Sequence, residues 1–247
     1  MEHDEYLAAL RQDADGFAAA IALADPAAQV RACPDWTVSD LLWHLTEVHD
    51  FWRAVVVQRI ADPATEYVDP VRPGGHADLL AMFRSGADEL IAALTNTDPS
   101  TIVWSWTPAH HVGFVLRRMA HETSIHRWDA EDAAGRTFAL DPAFASDGID
   151  EFLEYFAGYA YAPGTGPEPV GGTTHVHCTD VPGEWLIVDG LHGRMVITRQ
   201  HAKGDCAIRG AAGDILLGLW RRLPLDELEV IGDASVAARF IAHTGAN

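Results

Sequence analysis

The chain has 247 residues, enough for two domains, with 48% hydrophobic and 21% charged residues, so neither a disordered nor a fibrous class fits. A formal net charge of −19 repels phosphate backbones, which excludes nucleic acid as a partner. No apolar run reaches the roughly 20 residues needed to span a bilayer, and the N-terminus is acidic rather than signal-like, so a cytoplasmic protein with no membrane contact is expected.

In the first helix, near residues 4–24, Leu7, Leu10, Phe17 and Ile21 recur at helical spacing until Asp25-Pro26 stops them. Thr37-Val-Ser-Asp40 reads as a capping-box start for a second helix, with Leu41, Leu45, Val48, Trp52 and Val55 on one stripe. A loop rich in Pro, Asp and Gly follows. Leu79, Leu80, Phe83, Leu90, Ile91 and Leu94 define a third helix, and Val112, Val115, Met119 and Ile125 a fourth near 110–133. Four amphipathic helices of this length form a bundle.

The texture changes near residue 144. A helical segment with Ile149, Phe152, Leu153 and Phe156 precedes a glycine- and proline-rich stretch, residues 162–172, that reads as a loop. Strand-like runs follow at 174–179, 185–188, 195–198 and 206–209, then helical patterns near 211–222 and 234–243. The expected fold class is therefore α+β in two domains: a four-helix bundle over residues 1–143 and a small α+β domain over 144–247. Cys33, Cys178 and Cys206 are odd in number and widely spaced, which fits reduced thiols rather than a disulfide framework.

His44 lies three residues after Leu41 and four before Val48, on the inward stripe of the second helix. Glu122 and His126 are four apart and stack on one face of the fourth, with Val115 and Met119 continuing the stripe. A buried carboxylate needs a cation, a hydrogen-bond cage or a raised pKa. A divalent metal satisfies all three groups, and two imidazoles with one carboxylate suit zinc first, with nickel, manganese and iron as alternatives. The competing reading makes His44 an ordinary core histidine and pairs Glu122 with Arg118 or His126 on the helix surface. Asp129 follows the pair and either orients a ligand imidazole or binds a polar group of a cofactor. His110, His111 and His121 lie at or on the same helix in outer or surface roles, and the tryptophans line a pocket mouth or the core. His175 and His177 share one face of a strand while Cys178 points away, and no matching ligand pair follows, so that run carries little weight as a metal site.

Two segments carry a resemblance. Cys33-Pro-Asp-Trp-Thr-Val-Ser-Asp-Leu-Leu-Trp-His44-Leu and Arg118-Met-Ala-His-Glu122-Thr-Ser-Ile-His126-Arg-Trp-Asp-Ala resemble the signatures of the mycothiol-dependent maleylpyruvate isomerase family. The N-terminal half resembles the DinB-like metal-binding bundle, and the resemblance makes His44, Glu122 and His126 the metal ligands. Leu219-Trp220-Arg221-Arg222-Leu-Pro224, followed by Val230-Ile-Gly-Asp233, resembles the family's C-terminal domain, itself similar to sterol-carrier proteins. There the resemblance implies a catalytic arginine at Arg222, with Arg221 the near alternative because the run between Trp and Pro departs from the family pattern.

The implied cofactors are a divalent metal and mycothiol, a low-molecular-weight thiol of actinobacteria. The implied chemistry is addition of a metal-bound thiolate to an electrophile, in the isomerase the cis double bond of maleylpyruvate. A mycothiol S-transferase acting on an electrophilic toxin or biosynthetic intermediate is the second reading, and a non-catalytic metal- and ligand-binding module the third. The partners expected are mycothiol and a small substrate, with the chain a monomer.

Overall fold

The computed structural model describes residues 1–159, 162 and 165–244. The chain divides into two compact units, one ending at Phe138 and the other beginning at Ala139. Among the described residues no helix is long and apolar enough to cross a membrane.

The first unit is built on α1 (His3–Leu23), α2 (Val38–Gln58), α4 (His76–Thr95) and α5 (Val112–Ala133), with a short α3 (Pro63–Glu66) in the proline-rich loop. α1 packs on α5 and α4, and α2 packs on α4 and α5, so each long helix has two neighbours around one core. Phe17, Leu41, Leu45 and Phe83 are buried there, and the Phe17 and Phe83 rings lie 4.8 Å apart between centroids. Periodicity placed these four helices because burying one apolar stripe per helix is what holds the bundle together.

A two-stranded hairpin, β1 (Gln29–Val30) and β2 (Cys33–Thr37), separates α1 from α2. β2 runs straight into α2, whose N-cap is Thr37: its hydroxyl accepts from the Asp40 amide at 3.2 Å, and the Asp40 carboxylate accepts from the Thr37 amide at 3.0 Å. The cap and the Arg72 guanidinium hold the Asp40 pKa down at about 2. This box fixes where α2 begins, and so which face carries His44. α5 is capped by His111, whose Nδ1 accepts from the Phe114 amide at 3.0 Å. His111 thus sets the start of the helix that bears Glu122 and His126.

The second unit opens with α6 (Pro142–Phe152), which winds on through a wider turn at Leu153–Ala157. Of the stretch read as a loop, residues 163 and 164 lie outside the described residues. Its sheet has the order β5-β4-β3-β6-β7, from β3 (Thr174–Cys178), β4 (Glu184–Asp189), β5 (Met195–Thr198), β6 (Cys206–Gly210) and β7 (Glu229–Gly232). Only the β3–β6 pair is parallel; the other pairs are antiparallel. Val176, Trp185, Ile187 and Ile208 are buried on one face, while α7 (Ala212–Leu219) and α8 (Ala234–His243) pack on the sheet. The Trp185 indole donates to Asp150 of α6 at 2.9 Å, tying that helix to the sheet.

The helix expected over 211–222 stops at Leu219. Arg221 takes a left-handed conformation at φ 61°, and the Arg222 amide turns back to the Leu217 carbonyl at 2.7 Å, closing the helix before Pro224.

Candidate metal centre in the helical bundle

His44 on α2 meets Glu122 and His126 on α5, and the three donor atoms lie within 4.8 Å of one another. Glu122 Oε1 sits 3.4 Å from His44 Nε2 and 3.2 Å from His126 Nε2. Its other oxygen, Oε2, accepts from the Arg118 guanidinium at 2.8 Å. The carboxylate is therefore held by one oxygen and offers the other to both imidazoles. The Glu122 pairing of the competing sequence reading is thus present, but with a buried partner: the Arg118 side chain is 3% exposed and that of Glu122 20%.

Asp129 is buried and its Oδ2 receives His126 Nδ1 at 3.0 Å. This contact places the proton on Nδ1 and leaves Nε2 facing Glu122, the arrangement found behind most metal-bound histidines. We expect Asp129→Asn to weaken metal affinity by about 10–100-fold while leaving the ligand set intact, measured by competition with a chelator. Unchanged affinity would remove Asp129 from the site.

Burial opposes the charge on both ionisable partners. For Glu122 the nearby His126 charge and the imidazole hydrogen bonds overcome it, holding the carboxyl well below the usual carboxylate range. For His126 the Glu122 and Asp129 carboxylates overcome it and raise the pKa to about 9. Surroundings that retain a proton on a buried imidazole also favour a divalent cation, which must displace that proton to bind.

The residues present fit a metal: two imidazole nitrogens and one carboxylate oxygen converge, and no fourth protein donor joins them among the described residues. Trp36 of β2 lies over the His44 ring at 4.7 Å and 6.3 Å from His126, between ring centroids. It flanks both rings, and the His44 side chain stays 32% exposed. Trp52, Trp104 and Trp106 gather elsewhere with Phe51 and Phe114; Trp52 and Phe114 are buried in the core, while Trp106 is exposed at the edge of the cluster.

The remaining histidines of these helices do other work. His49, one and a half turns beyond His44, is buried and bonds to Thr123 at 2.8 Å; burial drives its pKa down to about 3. His121 is buried against Tyr6 of α1 rather than at the surface. Arg127, beside His126 in sequence, pairs with Asp13 of α1 at 2.8 Å. In the second unit, Arg222 is buried and donates to the Trp220 carbonyl at 2.8 Å, while Arg221 donates to the Ile241 and Ala242 carbonyls of α8.

The family model of the mycothiol maleylpyruvate isomerase N-terminal domain matches residues 7–131, and that of the MDMPI C-terminal domain matches 143–239. The chain belongs to the mycothiol maleylpyruvate isomerase family. Both segments that carry His44, Glu122 and His126 lie inside the first match. Crystal structures of the mycothiol-dependent maleylpyruvate isomerase share the fold. One, of a histidine-to-alanine mutant, aligns with a TM-score of 0.62 at 12% identity over 93% of each chain. A second gives 0.58 at 12% identity over 88% of each chain. No curated protein matches the sequence. At that identity the structures establish a shared architecture, a helical N-terminal part and a sheet-containing C-terminal part.

Proposed function

We propose that this chain is a metal- and mycothiol-dependent enzyme that isomerises a cis-unsaturated substrate of the maleylpyruvate kind by reversible thiolate addition to its double bond. The observation that carries the reading is the convergence of His44, Glu122 and His126 inside a family-matched bundle. These three residues would hold a divalent metal, zinc first, which would supply a Lewis acid that keeps a thiol ionised near neutral pH.

The chain's own residues prepare that site. Asp129 fixes the His126 tautomer, Arg118 restrains Glu122 to one free oxygen, and Trp36 packs beside the rings of His44 and His126. Arg222 is the group we assign to the substrate, holding a carboxylate or a developing enolate through paired hydrogen bonds. We place the enzyme in the cytoplasm, where its thiol partner is reduced.

The decisive experiment incubates the metal-loaded protein with maleylpyruvate and mycothiol. Conversion of the cis to the trans isomer without net thiol consumption is expected, because the thiol added in the first step leaves in the last. Stoichiometric thiol loss would instead identify an S-transferase. Glutathione should replace mycothiol poorly, since it lacks the sugar and inositol parts, and equal rates with both thiols would sink the cofactor assignment.

A further inference from the structure

A second set of metal-binding donors stands on the sheet, in a part of the chain that the proposed reaction does not use. His175 and His177 alternate on β3 and so project from the same face. Glu184 of β4 is the direct cross-strand partner of His177 and joins that face. β5 pairs with β4 through Thr198 and Leu186, and the chain leaving β5 brings His201 back beside Glu184. His177 Nδ1 lies 2.8 Å from Glu184 Oε1, His201 Nδ1 lies 2.6 Å from Oε2, and His175 Nε2 lies 3.6 Å from that same oxygen. All four donor atoms fall within 4.8 Å of one another.

A hydrogen-bonded cluster would account for His177, His201 and Glu184 but not for His175. That residue is only 7% exposed, and its buried Nε2 faces Glu184 Oε2 at 3.6 Å, too long for a good hydrogen bond. It points at an oxygen already engaged by His201. A buried nitrogen lone pair or N–H left unsatisfied is costly and calls for a ligand. Arg209, the β6 partner of His177, does not oppose a cation there, because its guanidinium is taken by Glu229 at 2.7 Å.

We infer that His175, His177, Glu184 and His201 form a second divalent-metal site, separate from the bundle triad. Three imidazoles and one carboxylate select zinc, nickel or copper over calcium or magnesium, which prefer all-oxygen shells. Bonds of about 2.0–2.1 Å would set the donors roughly 3.3 Å apart, so donors now up to 4.8 Å from one another must draw together by rotamer changes of the exposed His201 and half-buried His177 and Glu184. Four protein donors close a tetrahedral shell, which makes the site structural. Its effect is to pin the segment after β5 to the β3–β4 pair, since His201 is otherwise 80% exposed.

The test uses the full chain, stripped with a chelator and titrated with cobalt(II) or zinc, with bound metal counted after gel filtration. Wild-type protein should retain an equivalent that Glu122→Ala leaves in place and that His177→Ala or His201→Ala weakens by at least 10-fold. Zinc should also raise Tm in the Glu122→Ala protein and fail to do so when His177→Ala is added. His201 is exposed enough that its removal cannot unfold the sheet, so a loss in His201→Ala reads ligation and not folding. If no equivalent responds to His177 or His201, or if Glu122→Ala removes all tightly bound metal, the inference is wrong.

Discussion

Replacing any one of His44, Glu122 or His126 with alanine is expected to abolish one tightly bound metal equivalent and, with it, turnover. Among the described residues these three are the donors that converge in the bundle, so each loss leaves two. Two donors do not hold a divalent ion against water, and the fall should exceed the 10–100-fold that an outer-shell change produces. Glu122→Gln is the informative companion. It keeps the volume and a carbonyl oxygen for Arg118, yet removes the negative charge that Arg118 and His126 now face. Metal should still be lost while the fold, read by circular dichroism and Tm, remains near wild type. The metal count must be taken on the equivalent that His177→Ala leaves in place. Stoichiometric metal at that site in all three alanine variants would disprove the triad.

The bundle and its triad were legible because one physical signal carried both. A helix buries a stripe, and a histidine or glutamate found on the stripe must be answered by a partner, which is how His44, Glu122 and His126 stood out. The surroundings of the triad were less legible. Trp36 reaches the imidazoles from β2, a strand of a hairpin whose other member has only two residues, too short to leave an alternation pattern. α3 has four residues and no buried side chain, so nothing periodic announces it. The early end of α7 depends on a left-handed arginine, a backbone state that favours glycine or asparagine and that no residue type at position 221 signals.

The sheet gives the opposite lesson. Its strands at β3, β4, β5 and β6 were readable from β-rich runs between turns, but their register was not. Strand alternation puts His175 and His177 on one face, and the sequence shows no second donor pair beside them. Glu184 and His201 supply that pair only once β4 and β5 are aligned on β3. Spacing along the chain holds no information about it, since 17 residues separate His201 from Glu184.

Arg222→Ala is expected to lower turnover by about 10²–10³ with the bundle metal retained, the scale seen when one preorganised donor to a transition state is removed. The Arg222 side chain is buried, and its Nη1 is anchored on the Trp220 carbonyl, so the guanidinium is held in place rather than waving in solvent. A fixed planar fork matches a carboxylate or an enolate through two parallel hydrogen bonds, and lysine does not reproduce it. Arg222→Lys should therefore remain impaired at least 10-fold, with Tm close to wild type. Arg221 is the built-in control, because it is spent on the last carbonyls of α8. Arg221→Ala should cost about 0.3–1 kcal/mol of stability in urea unfolding and leave turnover near wild type. A larger catalytic loss at Arg221 than at Arg222 would move the role by one residue. Full activity in Arg222→Lys would show that charge alone suffices and that the paired hydrogen bonds are not used. A parallel fall of Tm and activity in Arg222→Ala, with Arg222→Lys restoring both, would make Arg222 a structural residue of the turn after α7 and leave the substrate's carboxylate to another group.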